Sequence, residues 1–295
     1  MSWFALILIS TNLSVIGSLF DKFFCAKKFK NTFAFAVASN LFLAIFILGL
    51  SLFVKISSPP GWPLFMAVLS GPVYFLMWVF WWQSLKSGEI SRSVAIFSTA
   101  PLFNALLAVL FLGEHLTSFK WLAIFLIVTG AAICSWENKP GSRFNFAYIL
   151  AVLAAIFQAI GNVVSKFAMK EISPLTIYVI CFYASLPLYL ILLTKRGVLT
   201  EVKVNLIDKK VVIGLFFRSF ILFMAILLFY LALASGPVSE VSAMGGTGPL
   251  FALFYSTIIS LFWPKFIKED LRRQVLLAKT VAIILIVAGV VLINS

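Results

Sequence analysis

Pro101-Leu102-Phe103 and Pro249-Leu250-Phe251 stand 148 residues apart (249 − 101), and so do Ser87-Gly88 and Ser235-Gly236 (235 − 87). Two different words at one offset, in one order, mark an internal repeat, the feature to seek before any motif. The match extends to both ends of each half. Gly17 and Lys22 recur as Gly161 and Lys166 at an offset of 144, and Leu126-Ile127-Val128-Thr129-Gly130 recurs as Leu285-Ile286-Val287-Ala288-Gly289 at an offset of 159. The growth from 148 to 159 places about eleven extra residues late in the second copy.

Composition names the solvent of these copies. The chain is 62% hydrophobic and only 11% charged over 295 residues, with a mean hydropathy of +1.10. About a quarter of the residues in a soluble domain are charged, so lipid, and not water, must face most of this surface. The excess of 23 Lys and Arg over 10 Asp and Glu then reads as loop charge that orients helices and meets anionic headgroups. No nucleic-acid partner is expected.

A helix needs about 20 apolar residues to cross the hydrocarbon core. That rule predicts spans near 3–20, 32–54, 62–85, 91–112 and 119–136, then 145–168, 174–194, 210–233, 238–262 and 275–293. The expected fold is an all-α integral membrane protein of ten transmembrane helices, built as two inverted five-helix repeats, residues 1–138 and 139–295. An odd number of spans per copy inverts the second copy, an architecture of secondary transporters with the substrate near the midplane. Met1-Ser2-Trp3 runs into apolar sequence with no basic region and no cleavage site, so the first span is expected to be retained. The odd-numbered loops, helix ends included, carry 18 of the Lys and Arg against 4 on the other side. The positive-inside rule places both termini outside, in a multi-pass plasma membrane expected to be a bacterial inner membrane.

The run Ala100-Pro101-Leu102-Phe103-Asn104-Ala105-Leu106-Leu107-Ala108-Val109-Leu110-Phe111-Leu112-Gly113-Glu114 resembles the fourth-helix signature of the EamA family, in the drug/metabolite transporter superfamily. The Gly-to-Lys spacing of helices one and six, and the Gly130 and Gly289 helices, resemble it too. The resemblance implies a ten-helix exporter or exchanger of small metabolites working by alternating access, with amino acids, amines or nucleobases as substrates. Where the family has Gly-Glu after helix nine, this chain has Phe262-Trp263-Pro264-Lys265, then a basic segment through Arg273.

Polar side chains inside a membrane are costly and mark function or helix–helix adhesion. Gln158, Asn162 and Lys166 fall at i, i+4 and i+8 on helix six, and Ser14, Ser18 and Lys22 on helix one, each set one helical face. Tyr74 and Trp78 share a face of helix three and are expected on the cavity, with Trp81 and Trp82 in an interfacial aromatic belt. Asn104 of the fourth-helix signature and Thr247, in Gly245-Gly246-Thr247-Gly248-Pro249, complete the expected binding set. The glycines there predict that helix nine bends more than its counterpart. Arg218, deep in helix eight, can hold a carboxylate or phosphate as a planar fork. Arg92 and Glu240 occupy equivalent positions (240 − 92) and are expected to gate or couple transport, with Lys22 and Lys166; Glu114 is expected to be structural.

Chemistry is absent by the same reading. His115 is the only histidine, and Cys25, Cys134 and Cys181 lack metal-ligand spacing. There is no phosphate-binding Gly-Lys-Ser/Thr loop and no paired-carboxylate motif. The expectation is a non-enzyme without cofactor or metal, whose partners are a small-molecule substrate, membrane lipids and a coupled proton or counter-substrate. A flippase of lipid-linked substrates and a non-transporting scaffold or sensor stand as alternatives.

Overall fold

The computed structural model describes residues 2–54, 61–87, 93, 96–134, 146–262 and 273–293, and among them every regular element is helical. In chain order these are α1 (Trp3–Lys27), α2 (Thr32–Phe53), α3 (Trp62–Ser87), α4 (Ala100–Leu107), α5 (Ser118–Cys134), α6 (Phe146–Ala168), α7 (Pro174–Leu193), α8 (Val198–Ile207), α9 (Lys209–Ser235), α10 (Val238–Gly245), α11 (Gly248–Phe262) and α12 (Arg273–Ile293). Six of them, α1, α2, α3, α6, α7 and α9, contain stretches long and apolar enough to cross a membrane. Shorter apolar helices run over Ala100–Leu112, Ser118–Ile133 and Thr280–Ile293. Leu52, Phe53, Leu110 and Phe111 stand fully outward, as side chains do when lipid is the solvent. The chain is a multi-pass membrane protein. Arg92 and residues 264–272 lie outside the described residues, as do the side chains of Lys22 and Arg273.

Lipid tails are as apolar as leucine, so helices in a bilayer are held by close packing of small residues and by hydrogen bonds between helices. The contacts between the halves of this chain are of that kind, and they are reciprocal. α1 packs along α9 and α3 along α6, while α5 pairs with α12. In the repeat expected from the sequence α6 answers to α1 and α9 to α3, and the first two contacts then correspond to each other with the halves exchanged. The third is self-complementary. A Cβ on Gly130 would meet Ile286 Cγ1 at 2.7 Å and the Ala282 carbonyl at 2.8 Å; one on Gly289 would meet Ile127 Cγ1 and the Ala123 carbonyl, both at 2.7 Å. Ala123, Ile127 and Gly130 are offset by 159 from Ala282, Ile286 and Gly289. Each glycine admits the other helix's isoleucine.

The expected helix 238–262 is broken into α10 and α11 at Gly246-Thr247. The first half breaks as well, at the equivalent Ser98-Thr99. Thr99 Oγ1 donates to the Ile96 carbonyl and Thr247 Oγ1 to the Met244 carbonyl, both at 2.7 Å. Two residues on, Pro101 and Pro249 lack an N–H and cannot continue an α-helical ladder from the preceding turn. The Thr-x-Pro element makes the break, and the glycines of the second half are not required for it.

α8 is an element the hydropathy pattern does not announce. Its Glu201 accepts from the backbone N–H groups of Lys30 and Asn31, a negative charge at the positive end of α2. Lys28 donates to Asp208 at 3.0 Å; that bond, with the Lys210 backbone N–H, holds the Asp208 carboxyl below its usual range. Lys86 Nζ donates to the Lys30 carbonyl. The basic ends of α1, α3 and α7 through α9 thus share one end of the molecule.

Candidate functional site

Three of the expected binding residues meet in one chain of hydrogen bonds. The Tyr74 hydroxyl, from α3, donates to Asn162 Oδ1 of α6 at 2.6 Å. Asn162 Nδ2 donates to Asn104 Oδ1 of α4 at 2.8 Å, and Asn104 Nδ2 donates to its own helix at the Ala100 carbonyl, 2.9 Å away. Asn104 and Asn162 are wholly buried. Gly161 makes room for the arrangement, since a Cβ there would lie 2.9 Å from the Tyr74 ring. Beside the chain, Tyr230 stacks on Tyr178 with ring centroids 5.3 Å apart, and neither hydroxyl, nor Ser165 Oγ, has a hydrogen-bond partner among the described residues. Gln158, one turn before Asn162, is half-buried and makes no hydrogen bond among the described residues.

Along α3 from Tyr74, a cavity of about 30 Å³ opens, lined by Ser39 and Asn40 of α2, Trp78 and Trp82 of α3, Tyr189 of α7 and Arg218 of α9, and closed by Ala36, Leu43, Leu222 and Ile226. Roughly 10–15 Å³ suffices for a water, so the space holds a small polar group. Trp78 and Trp82 stack with centroids 5.3 Å apart. Trp82 is 4% exposed and its Nε1–H has no hydrogen-bond partner among the described residues. The interfacial belt expected of Trp81 and Trp82 is therefore corrected: both are buried against α-helical neighbours, and Trp82 faces the cavity.

Arg218 is on that cavity and holds a partner that sequence reading overlooked. Its Nε donates to Asp21 Oδ1 at 2.7 Å and its Nη2 to Oδ2 at 3.0 Å, the two residues being 1% and 3% exposed. The guanidinium also lies 5.5 Å from the Phe35 ring centroid, within cation–π range. Asp21 precedes Lys22 near the end of an apolar run, which disguised it as a loop charge.

The remaining expected residues go elsewhere. Ser18 Oγ donates to the Ser14 carbonyl of its own helix at 2.9 Å and is exposed, and Ser14 is half-buried. Thr247 is buried with its hydroxyl spent on the break of α10–α11. Glu240 has Lys120 as partner, at 2.6 Å. Lys166 Nζ donates to the Leu233, Ala234 and Gly236 carbonyls at 2.6, 3.2 and 2.9 Å, a cation on the negative end of α9. Glu114 meets the other side of the same turn. The chain widens into a π-helical turn over Ala108–Leu112, and Gly113 adopts a left-handed φ of +68°, a conformation glycine reaches without strain. The reversal delivers the Glu114 carboxylate to the Val238 N–H at 2.6 Å and the Ser239 N–H at 3.2 Å, anchoring the start of α10. Lys166→Met strips three carbonyls of a charged donor and is expected to lower unfolding stability by about 1–3 kcal/mol, read from thermal unfolding of the purified protein.

The EamA-like transporter family matches residues 1–136 and 145–295. An S-adenosylmethionine uptake transporter of Rickettsia bellii (strain RML369-C) is 30% identical over 109 residues, a segment that covers 36% of this chain and 36% of that protein. An uncharacterized transporter in the cobO 3'region of Sinorhizobium sp is 32% identical over 79 residues, 27% of this chain and 56% of that one. The chain thus matches only about a third to a half of these relatives' lengths. In three dimensions, a protein crystal structure superposes over 98% of this chain and 96% of its own with a TM-score of 0.67 at 16% identity, a likeness of fold. With nearly every residue inside the family match, and its repeat words and Gly113-Glu114 turn in place, the chain belongs to the EamA-like transporter family of the drug/metabolite transporter superfamily.

Proposed function

We propose that this transporter is a secondary active exporter or exchanger of a small metabolite, working by alternating access between two inverted five-helix repeats, residues 1–138 and 139–295, in ten spans. The observation that carries the reading is the cavity, largely apolar with Arg218, Ser39 and Asn40 on its wall, between α2 and α3 from one half and α7 and α9 from the other. Such a site opens to one side or the other as the halves rock. The reciprocal α1–α9 and α3–α6 contacts support the two-fold relation, and so do the two ranges of the family match. Tyr74, Asn162 and Asn104 bridge the halves and must exchange partners as they part. Trp78, Gln158 and Arg218 offer a substrate aromatic and polar contacts, while Lys166 and Glu240 hold the far end shut. Lys/Arg counts favour both termini outside, in a bacterial inner membrane.

The substrate is amino-acid-like or amine-like. S-adenosylmethionine, named for the Rickettsia relatives, is the first compound to test. Thermal stability of the purified protein, read against amino acids, amines, nucleosides, sugar phosphates and S-adenosylmethionine at acidic and neutral pH, checks the proposal. A true ligand at a hundredfold its Kd adds about 2.7 kcal/mol, and Gln158→Ala or Tyr74→Phe is expected to weaken that gain. Stabilisation by lipid-linked compounds alone would make the protein a flippase. Silence of every class, with no flux in liposomes, would leave a membrane scaffold.

A further inference from the structure

We infer that the Arg218 end of the cavity is a carboxylate subsite, an assignment that rests on the transporter reading and narrows its substrate to small organic carboxylates, zwitterionic amino acids included. A guanidinium has five N–H donors in a rigid plane. Asp21 takes two of them, at Nε and Nη2, and no other hydrogen-bond partner of Arg218 is found among the described residues. Arg218 lines the cavity and Asp21 does not, so the carboxylate stands behind the guanidinium and fixes its plane, leaving an Nη1/Nη2 edge for a guest. A second donor faces the same space. Trp82 Nε1–H is buried on the cavity wall with no acceptor among the described residues, and a buried donor left unmade is costly unless something accepts from it. Asn40 adds an amide on the α2 side.

Among the described residues no acidic side chain lines the cavity. Its polar wall is donor-rich, with two fixed N–H sources on one small space, and a planar two-oxygen anion satisfies both at once. A phosphate dianion fits less well, because one guanidinium already shared with Asp21 faces two charges in a dry interior. The stacked Trp78 and Trp82 rings and Tyr189 are the apolar surface beside the carboxylate; the cavity of about 30 Å³ admits the carboxylate itself and not the body behind it. Asp21 is a positioning residue in this scheme and does not touch the guest.

Three probes that share one body test it: 3-phenylpropionate, 3-phenylpropionamide and 3-phenylpropylamine, titrated against the full-length protein with thermal stabilisation as readout. The carboxylate is expected to stabilise and the amide and amine are not. Trp82→Phe removes only the indole N–H and keeps an aromatic ring, so it is expected to fold and to weaken the carboxylate about tenfold. Arg218→Lys keeps the charge, loses the planar fork, and is expected to weaken it further. Equal stabilisation by all three probes, silence of all three, or full carboxylate affinity in Trp82→Phe would overturn the assignment. Flux of another solute class in liposomes would then leave the transporter reading standing; absence of flux for every class would remove both.

Discussion

Arg218→Met is expected to cost about 3–5 kcal/mol of unfolding stability, the largest loss of any single substitution in the cavity wall. The reason is what remains. Asp21 is 3% exposed, and without the guanidinium its buried carboxylate loses the hydrogen-bonded cation that Arg218 supplies. Asp21→Leu, which strands Arg218 instead, is expected to lose a similar amount. The double variant Asp21→Leu/Arg218→Met removes both charges and is expected to recover most of the loss, since an ion pair replaced whole by apolar side chains is often neutral. Thermal unfolding of the four proteins in one detergent measures the cycle. Single variants that lose less than about 1 kcal/mol would show the pair to be hydrated, as exposed pairs are.

The second large effect falls on the α5–α12 seam and should be the same from both sides. Gly130→Leu drives a side chain into Ile286 and the Ala282 carbonyl; Gly289→Leu drives one into Ile127 and the Ala123 carbonyl. Backbone carbonyls cannot step aside as a flexible side chain can, so each substitution is expected to cost about 3 kcal/mol by overpacking. Gly49 is the control, since a Cβ there meets nothing within 4 Å, and Gly49→Leu is expected to be tolerated. Equal losses at Gly130 and Gly289 are the energetic counterpart of the repeat. A loss at one alone would mean that the two crossings are not equivalent.

Much of this was legible in the sequence because hydropathy and spacing are properties of single helices. The six long apolar spans, and the polar positions Tyr74, Asn104 and Asn162 that meet in one hydrogen-bonded chain, needed only the length of an apolar run and the polarity inside it. What was missed depends on which helix faces which. Asp21 and Arg218 lie 197 residues apart, and nothing in the periodicity of α1 or α9 joins them. Trp82 sits where interfacial tryptophans usually sit, yet α2 and α7 cover it. Repeat position matches Glu240 with Arg92, which lies outside the described residues; among those described its partner is Lys120. The Thr-x-Pro break was read as a glycine effect because the glycines occur in one copy only, and the shared Thr99 and Thr247 carried the signal. α8 hides because Glu201, Lys203 and Asn205 make its sequence look like a loop.

Counterflow in proteoliposomes tests the transport claim most directly. Vesicles loaded with an unlabelled candidate, S-adenosylmethionine or a small carboxylate amino acid, are diluted into its labelled form. The expected result is a transient, saturable accumulation of label with wild-type protein. Asn162→Leu cuts the Tyr74–Asn162–Asn104 bridge between the halves and is expected to reduce the rate at least about tenfold while the protein remains folded. Accumulation that matches protein-free vesicles for every candidate, or an Asn162→Leu rate equal to wild type, would contradict a transport path between the two halves.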